Sequence, residues 1–288
     1  MTGGEPAGVE GMVRAEDRLW TPWRMRYVGG QREEGCVFCN RLAEDDDVAA
    51  LILWRGERSF AIMTLFPYNT GHIMLVPNAH VPGPEEADPG ALAEMATVLP
   101  GVLRGLRRAL NCDGFNIGTN VGSIAGAGIA AHLHQHVVPR WNGDANFMPI
   151  LASTMVMPEL IPVTYAKLRA ELARELGDAA ETPVAIVSPD QGLVHADPDG
   201  RLPCVDLSSD QPAWRSAMGI AREIAPDAEL DLLWAGSRSA HGEAALGVVG
   251  VAPGMGDSRW VEPESLADSA DRRAATEAVR RARMASSP

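Results

Sequence analysis

His132-Leu133-His134-Gln135-His136-Val137-Val138-Pro139-Arg140 places three of the chain's seven histidines at a strict two-residue spacing. A β-strand sends successive side chains to opposite faces and rises about 3.3 Å per residue. The three imidazoles are therefore predicted to stand in a row on one face, about 7 Å apart, with Leu133 and Val137 turned into a core. A strand merely rich in histidine is the plain alternative, and three histidines in phase with apolar residues between them argue against it. One zinc ion cannot take all three on a regular strand. His132 and His136 would lie about 13 Å apart, and each nitrogen must come within about 2.1 Å of the metal.

Immediately upstream, Val121 to Gly128 is a loop of small residues that follows a strand predicted at Gly114–Asn120. Glycine lets backbone N–H groups approach a ligand closely, so such a loop can cradle phosphate, although a glycine-rich loop alone is a weak signal. Between Ala91 and Leu110 apolar residues recur at helical spacing, with a kink expected at Pro100-Gly101. Before that helix, Val48–Trp54 and Ser59–Leu65 read as paired strands and His72–Val76 as a third, ending at Pro77, with His80 just beyond. Cys36-Val37-Phe38-Cys39 lies earlier, preceded by the aromatic and arginine-rich Trp20–Tyr27, which reads as a packing arm or as a lid near a ligand.

Downstream, Leu160 to Leu176 outlines a helix ending near Gly177. The predicted organisation is a flexible arm at 1–17, a main domain at 18–176, a linker at 177–183, a small α/β domain at 184–262 and a C-terminal helix and tail at 263–288. In the small domain, strands are expected at 184–188, 193–196, 230–234 and 244–251, with a helix from Pro212 to Ile224.

The chain has 288 residues, 46% of them apolar, enough for two domains with real cores. Its formal charge of −13 argues against general nucleic-acid binding, which needs a basic surface. No apolar run approaches the roughly 20 residues of a membrane span, and a cytoplasmic protein is the expectation. Four cysteines are too few for a disulfide scaffold, and the pair Cys36 and Cys39 points to metal or redox chemistry.

The triad resembles the histidine-triad (HIT) superfamily pattern. Trp20–Arg24, Cys36–Cys39, His134–Trp141 and Gly143–Phe147 together resemble its actinobacterial diadenosine tetraphosphate phosphorylase group. The resemblance implies an α+β HIT fold with a five-stranded antiparallel sheet, a homodimer, and a nucleotide or nucleotide-derived ligand. It implies His134 as a nucleophile that forms a covalent nucleotidyl-histidine, with His136 beside it. Asn116, Asn120, Gly126, Gly128, Gln135 and His72 are the implied nucleotide or phosphate contacts, His72 being equally readable as a buried, hydrogen-bonded residue. It also implies a structural zinc on Cys36, Cys39, His80 and His132.

The resemblance departs around the loop. Ser123-Ile124 and Ala131 stand where that group carries Gly-Ser and a Glu directly before the first histidine, and Gly128 stands where common HIT hydrolases carry a polar residue. Ile124 and Ala131 offer no side-chain hydrogen bond, so an acceptor phosphate loses specific partners. Hydrolysis or nucleotidyl transfer is therefore expected ahead of phosphorolysis. The rivals are a non-catalytic nucleotide sensor and an enzyme recruited to a biosynthetic pathway with a non-standard substrate. The C-terminal unit loosely resembles a degenerate Nudix domain: Pro226-Asp227 and Glu229 replace the expected paired glutamates and glycine, and an unrelated α/β unit fits as well.

Overall fold

The computed structural model describes residues 34–144, 159–177, 179–226, 230–237, 244–249 and 259–285. The arm at 1–17, the Trp20–Tyr27 cluster, Phe147 and Asp227 lie outside the described residues. A short helix α1 (Val37–Ala43) and a single turn α2 (Asp47–Ala50) precede strands β1 (Ile52–Arg55), β2 (Ser59–Met63) and β3 (Ile73–Pro77). The long helix α3 (Pro89–Leu110), β4 (Gly114–Thr119), β5 (Gln135–Arg140) and helix α4 (Ile161–Leu176) follow.

The expected strand at 48–54 begins later, because the Asp46 carboxylate accepts the amides of Val48 and Ala49 and caps α2. Asp88 likewise caps α3, Pro89 occupies its first turn and Asn111 closes it in a left-handed conformation. The helix runs through Pro100 without interruption.

The first sheet is antiparallel throughout, in the order β1-β2-β3-β5-β4. This is the five-stranded sheet that the HIT resemblance implies. Alternation gives it two distinct faces. Leu53, Ala61, Met63, Ile73, Leu75 and Val137 share a buried cluster with residues of α3 and α4, whereas Ile52, Phe60, Ile62, Met74 and Val76 pack with Phe38 of α1. The triad belongs to this second face.

A second, mixed sheet is built from β6 (Glu181–Ser188), β7 (Leu193–His195), β8 (Cys204–Asp206), β9 (Asp231–Ser237), β10 (Ala244–Val249) and β11 (Trp260–Val261). β10 runs parallel to β6, and the other pairings are antiparallel. Helices α5 (Ala213–Ile224) and α6 (Ser269–Ala285) pack on this sheet. Residues 181–183, read as linker, are the first residues of β6, and the C-terminal helix packs on β6, β9 and β10 rather than forming a separate tail. The hydrophobic pattern of those residues is masked by Glu181 and Pro183, which sit where β6 pairs with the short β8.

Helix α4 joins the two halves. It packs on α3 and β1 and also on β9, β10 and α5, so one hydrophobic cluster runs through both units. Gly105 permits the contact with α3, since a Cβ there would sit 2.9 Å from Leu172 Cδ1. The buried Tyr165 hydroxyl reaches the carbonyls of Asp47 and Ile52, and Arg169 bonds the carbonyl of Leu53. Glu171 ties α4 to α5: Oε1 accepts the Ala213 amide at 2.7 Å, and Oε2 faces Arg108 and Arg174 at 3.5 and 3.7 Å. Burial pushes the Glu171 pKa up, opposed by the Ala213 amide and the two arginines. Glu171→Ala should lower stability by about 2–4 kcal/mol in urea unfolding, because it strips the α5 cap, removes the acid beside Arg174 and leaves Arg108 with Glu175 alone. Glu171→Gln, which keeps an acceptor for Ala213, should recover part of that loss.

Candidate active site and metal centre

The histidine stretch departs from the predicted strand at its start. β5 begins at Gln135, and His132 and His134 lie in the extended run leading into it. The reason is in the backbone partners of this run: the Leu133 amide donates to the Val81 carbonyl at 2.6 Å and the His132 carbonyl accepts from the His134 ring, so neither joins the ladder. His132 Nε2 donates to the Pro77 carbonyl at 2.9 Å, and His134 Nδ1 donates to the carbonyl of His132 at 2.8 Å. Phe38 of α1 packs against both rings, at centroid distances of 5.3 and 5.1 Å.

With the Nε2 proton of His132 on Pro77, its Nδ1 carries a lone pair. That atom lies 3.3 Å from Cys36 Sγ and 3.6 Å from Cys39 Sγ, and His80 Nδ1 lies 3.4 Å from Cys39 Sγ. All four donor atoms fall within 4.8 Å of one another. Tetrahedral coordination at zinc bond lengths puts neighbouring N and S donors about 3.3–3.8 Å apart, so these separations suit a closed two-thiolate, two-imidazole shell. Cys36 caps α1 and Cys39 ends its first turn, which is why both sulfurs sit at one helix end. All four cysteines of the chain are free thiols.

The proton positions of the remaining histidines follow from one backbone amide. Tyr68 N–H donates to His72 Nδ1 at 3.1 Å, so the His72 proton is on Nε2. His72 Nε2 is 3.0 Å from His136 Nδ1, which must accept, and this leaves the His136 proton on Nε2. His134 has the opposite arrangement: its proton is on Nδ1, and Nε2 presents a lone pair. The two rings meet edge to face at 4.9 Å. Burial lowers the pKa of both, and the charge of His134 adds to the lowering at His136, so both rings stay neutral.

His72 is buried and hydrogen-bonded behind His136. Tyr68 stacks against His72 and His136 at 4.7 and 5.6 Å. Tyr68 and Phe38 are site residues that sequence reasoning passed over. The only local signal for Tyr68 was its place in the turn before His72.

Along the β4–β5 ladder, Gly118 is opposite His136, and a Cβ built on Gly118 would meet no atom within 4 Å. A Cβ built on Gly126 or Gly128 would likewise meet no atom within 4 Å. Asn120 directly follows β4. Asn116 shares the face of Gly118 two residues along, and its Oδ1 accepts from Arg140 at 2.6 Å. Gln135 is a correction. Its ladder partners are Leu75 and Thr119, and alternation turns its side chain to the face opposite His134 and His136, so it is no side-chain partner for their ligand. Ile124, on a 3₁₀ turn at Ser123–Ala125, is 101% exposed.

A HIT domain family model matches residues 46–143. An AP-4-A phosphorylase of Mycobacterium tuberculosis is 36% identical over 166 residues, covering 55% of this chain and 85% of that protein. The chain belongs to the HIT family. Adenylylsulfatase HINT3 of Arabidopsis thaliana is 30% identical over 112 residues, covering 39% of this chain and 55% of its own length. A solved Zn-bound histidine triad family protein from Mycobacterium smegmatis is similar at 31% identity and a TM-score of 0.41, covering 49% of this chain and 94% of that one. The matched HIT family segment contains His72, His80 and the whole triad, while Cys36 and Cys39 precede it.

The buried relay gives this HIT protein a defined acid sensitivity. Burial first, then the neighbouring His136 and His134, lower the His72 pKa from 6.5 to about 3. Below pH 6.5 the unfolded chain binds a proton at this ring that the folded chain does not. Stability is therefore lost as pH falls from 6.5 towards 3, by about 1.4 kcal/mol per unit. Urea unfolding at pH 7 and pH 5 should show a loss from this ring of about 2 kcal/mol, absent in His72→Gln. Equal pH slopes in the two proteins would contradict the assignment.

Proposed function

We propose that this HIT protein is a nucleotide hydrolase or nucleotidyltransferase that works through a covalent adduct on His134. The observation that carries the reading is the opposite polarity of the two adjacent rings, a lone pair at His134 Nε2 and an N–H at His136 Nε2. In the first step His134 Nε2 attacks the α-phosphorus. A P–N bond forms, and the bond from phosphorus to the leaving oxygen breaks with its electron pair on that oxygen. The resulting imidazolium keeps its Nδ1 proton on the His132 carbonyl, which stabilises the positive charge. In the second step the acceptor attacks phosphorus, the P–N electron pair returns to Nε2, and the acceptor's proton goes to solvent.

A neutral imidazole donates a hydrogen bond from Nε2 but does not surrender that proton, since its loss would leave an imidazolate at His136 or, if the His72 Nε2 proton crossed over, at the buried His72. His136 therefore stabilises a departing anion rather than protonating it. This favours leaving groups that are weak bases, as in phosphoric anhydrides. The relatives named AP-4-A phosphorylase and adenylylsulfatase support a nucleotide-derived substrate. The open backbone at Gly118, Gly126 and Gly128, with Asn120, supplies room and donors for the phosphate oxygens.

Zinc fits the cluster at Cys36, Cys39, His80 and His132. It would hold α1, and with it Phe38, against the histidines, and a closed shell of four protein ligands gives it a structural role. The exposed edge of β4 supports the homodimer that the resemblance implies. A sensor without turnover is the second reading, favoured by the fully exposed Ile124 and by Ala131, which offer an acceptor no polar side chain.

Two measurements test this. Incubation with adenylylated compounds, with and without phosphate, followed by acid quench and mass spectrometry, should yield product and a nucleotidyl adduct on His134. His134→Ala should keep its fold and lose turnover at least a thousandfold, roughly the scale of removing a nucleophile. Tight nucleotide binding with neither product nor adduct would select the sensor. Elemental analysis should find about one zinc per chain, lost in Cys39→Ser, and less than about 0.1 per chain in untreated protein would contradict the metal assignment.

A further inference from the structure

The C-terminal end of α3, the turn at Trp141–Asp144, α4 and the start of α5 enclose a cleft of about 1000 Å³ that contains none of the triad. We propose that this cleft is a second ligand site, formed jointly by the HIT unit and the C-terminal unit, for a small phosphate-bearing molecule with a planar ring, of the nucleoside monophosphate class. The size is at the upper end of what small-molecule sites occupy, about 300–1,000 Å³.

Its walls carry the chemistry of both ends of such a ligand. Trp141 and Trp214 both line the cleft. Trp214 is fixed by donating Nε1–H to the Ala109 carbonyl at 3.1 Å, and Lys167 and Arg215 approach its ring at 4.4 and 5.3 Å from the centroid. Indole faces flanked by cations favour a flat, electron-rich ring beside negative charge. Of the acids in the wall, Asp144 is held by Arg140 and Glu159 by Lys167, leaving Asp210. Against it stand Arg107, which bonds the carbonyls of Cys112 and Asp113 and lies over the Phe115 ring, and Arg215, which has no acid partner among the described residues. The local balance is cationic on a chain of net charge −13.

An independent observation points to a ligand. Thr70 lines the cleft and is 6% exposed, yet its Oγ1 has no hydrogen-bond partner. Leaving a buried hydroxyl unpaired costs about 1–3 kcal/mol, which a phosphate oxygen or a ring nitrogen would relieve once Oγ1, covered in the empty cleft, turns towards it about χ1. The same turn connects the two sites: Asn69 and Thr70 face the cleft, while Tyr68 and His72 stack beside His136.

Equilibrium dialysis of the full chain with AMP, and separately with inorganic phosphate, tests the proposal. Two AMP per chain are expected. Arg215→Ala and Thr70→Val should each weaken one class of site at least tenfold and leave the other unchanged. Gly118→Val, which fills the space beside His136, should remove the other class alone, so failure of the histidine site and failure of this one give different patterns. Trp214→Leu adds a ring-specific test, and the exposed Arg215 keeps the result readable if that variant does not fold. A single class lost on Gly118→Val alone, or two classes both indifferent to Arg215→Ala and Thr70→Val, would overturn the second site. Phosphate displacing AMP at equal concentration would overturn the part assigned to the ring.

Discussion

His132 is bonded at both ring nitrogens, and the arrangement of the site depends on that. Its Nε2 proton rests on the carbonyl at the end of β3, so Nδ1 can only offer a lone pair to the two cysteines at the start of α1. One imidazole thereby joins the sheet to the helix that covers it. Its backbone carbonyl, in turn, accepts the Nδ1 proton of His134 and leaves the lone pair of that ring on Nε2. The residue that meets the two cysteines thus sets the tautomer of His134 through a single intervening residue.

The same economy governs the other end of the triad. A turn amide fixes the proton of His72, which fixes that of His136. Neither step needs a charged group, and burial keeps all three rings neutral. Adjacent histidines of identical chemistry thus acquire complementary roles from their hydrogen bonds alone. In this network each proton is placed by a neighbouring hydrogen bond rather than by charge, and the His134 Nε2 lone pair and the His136 Nε2 proton have no protein partner among the described residues.

Helix α4 plays the corresponding part for the whole molecule. Read in sequence, it closes the HIT unit; in space, it lies between two sheets and contributes to both cores. Its buried Arg169 and Tyr165 hold carbonyls of β1, and its buried Glu171 caps a helix of the other unit. The C-terminal unit is therefore packed against the HIT unit, and its helix α5 supplies Trp214 and Arg215 to the cleft between them.

The triad face, the Cys-x-x-Cys pair, the antiparallel sheet and most helices were legible in the sequence, because period-2 and helical spacing report directly on which side chains share a face. Polar exceptions were not: Asp46 converts an apolar run into a helical turn, and Glu181 and Pro183 hide the start of β6. The sequence by itself determined that His132, His134 and His136 follow one another along one extended run and that Cys36 and Cys39 lie together. Only the tertiary structure decided which nitrogen of each ring bears a proton, that Gln135 faces away, that His72 is buried behind His136, and that the two units share a core. Those properties depend on partners distant in the chain, such as the Pro77 carbonyl and Phe38, and local spacing carries no information about what the fold brings alongside.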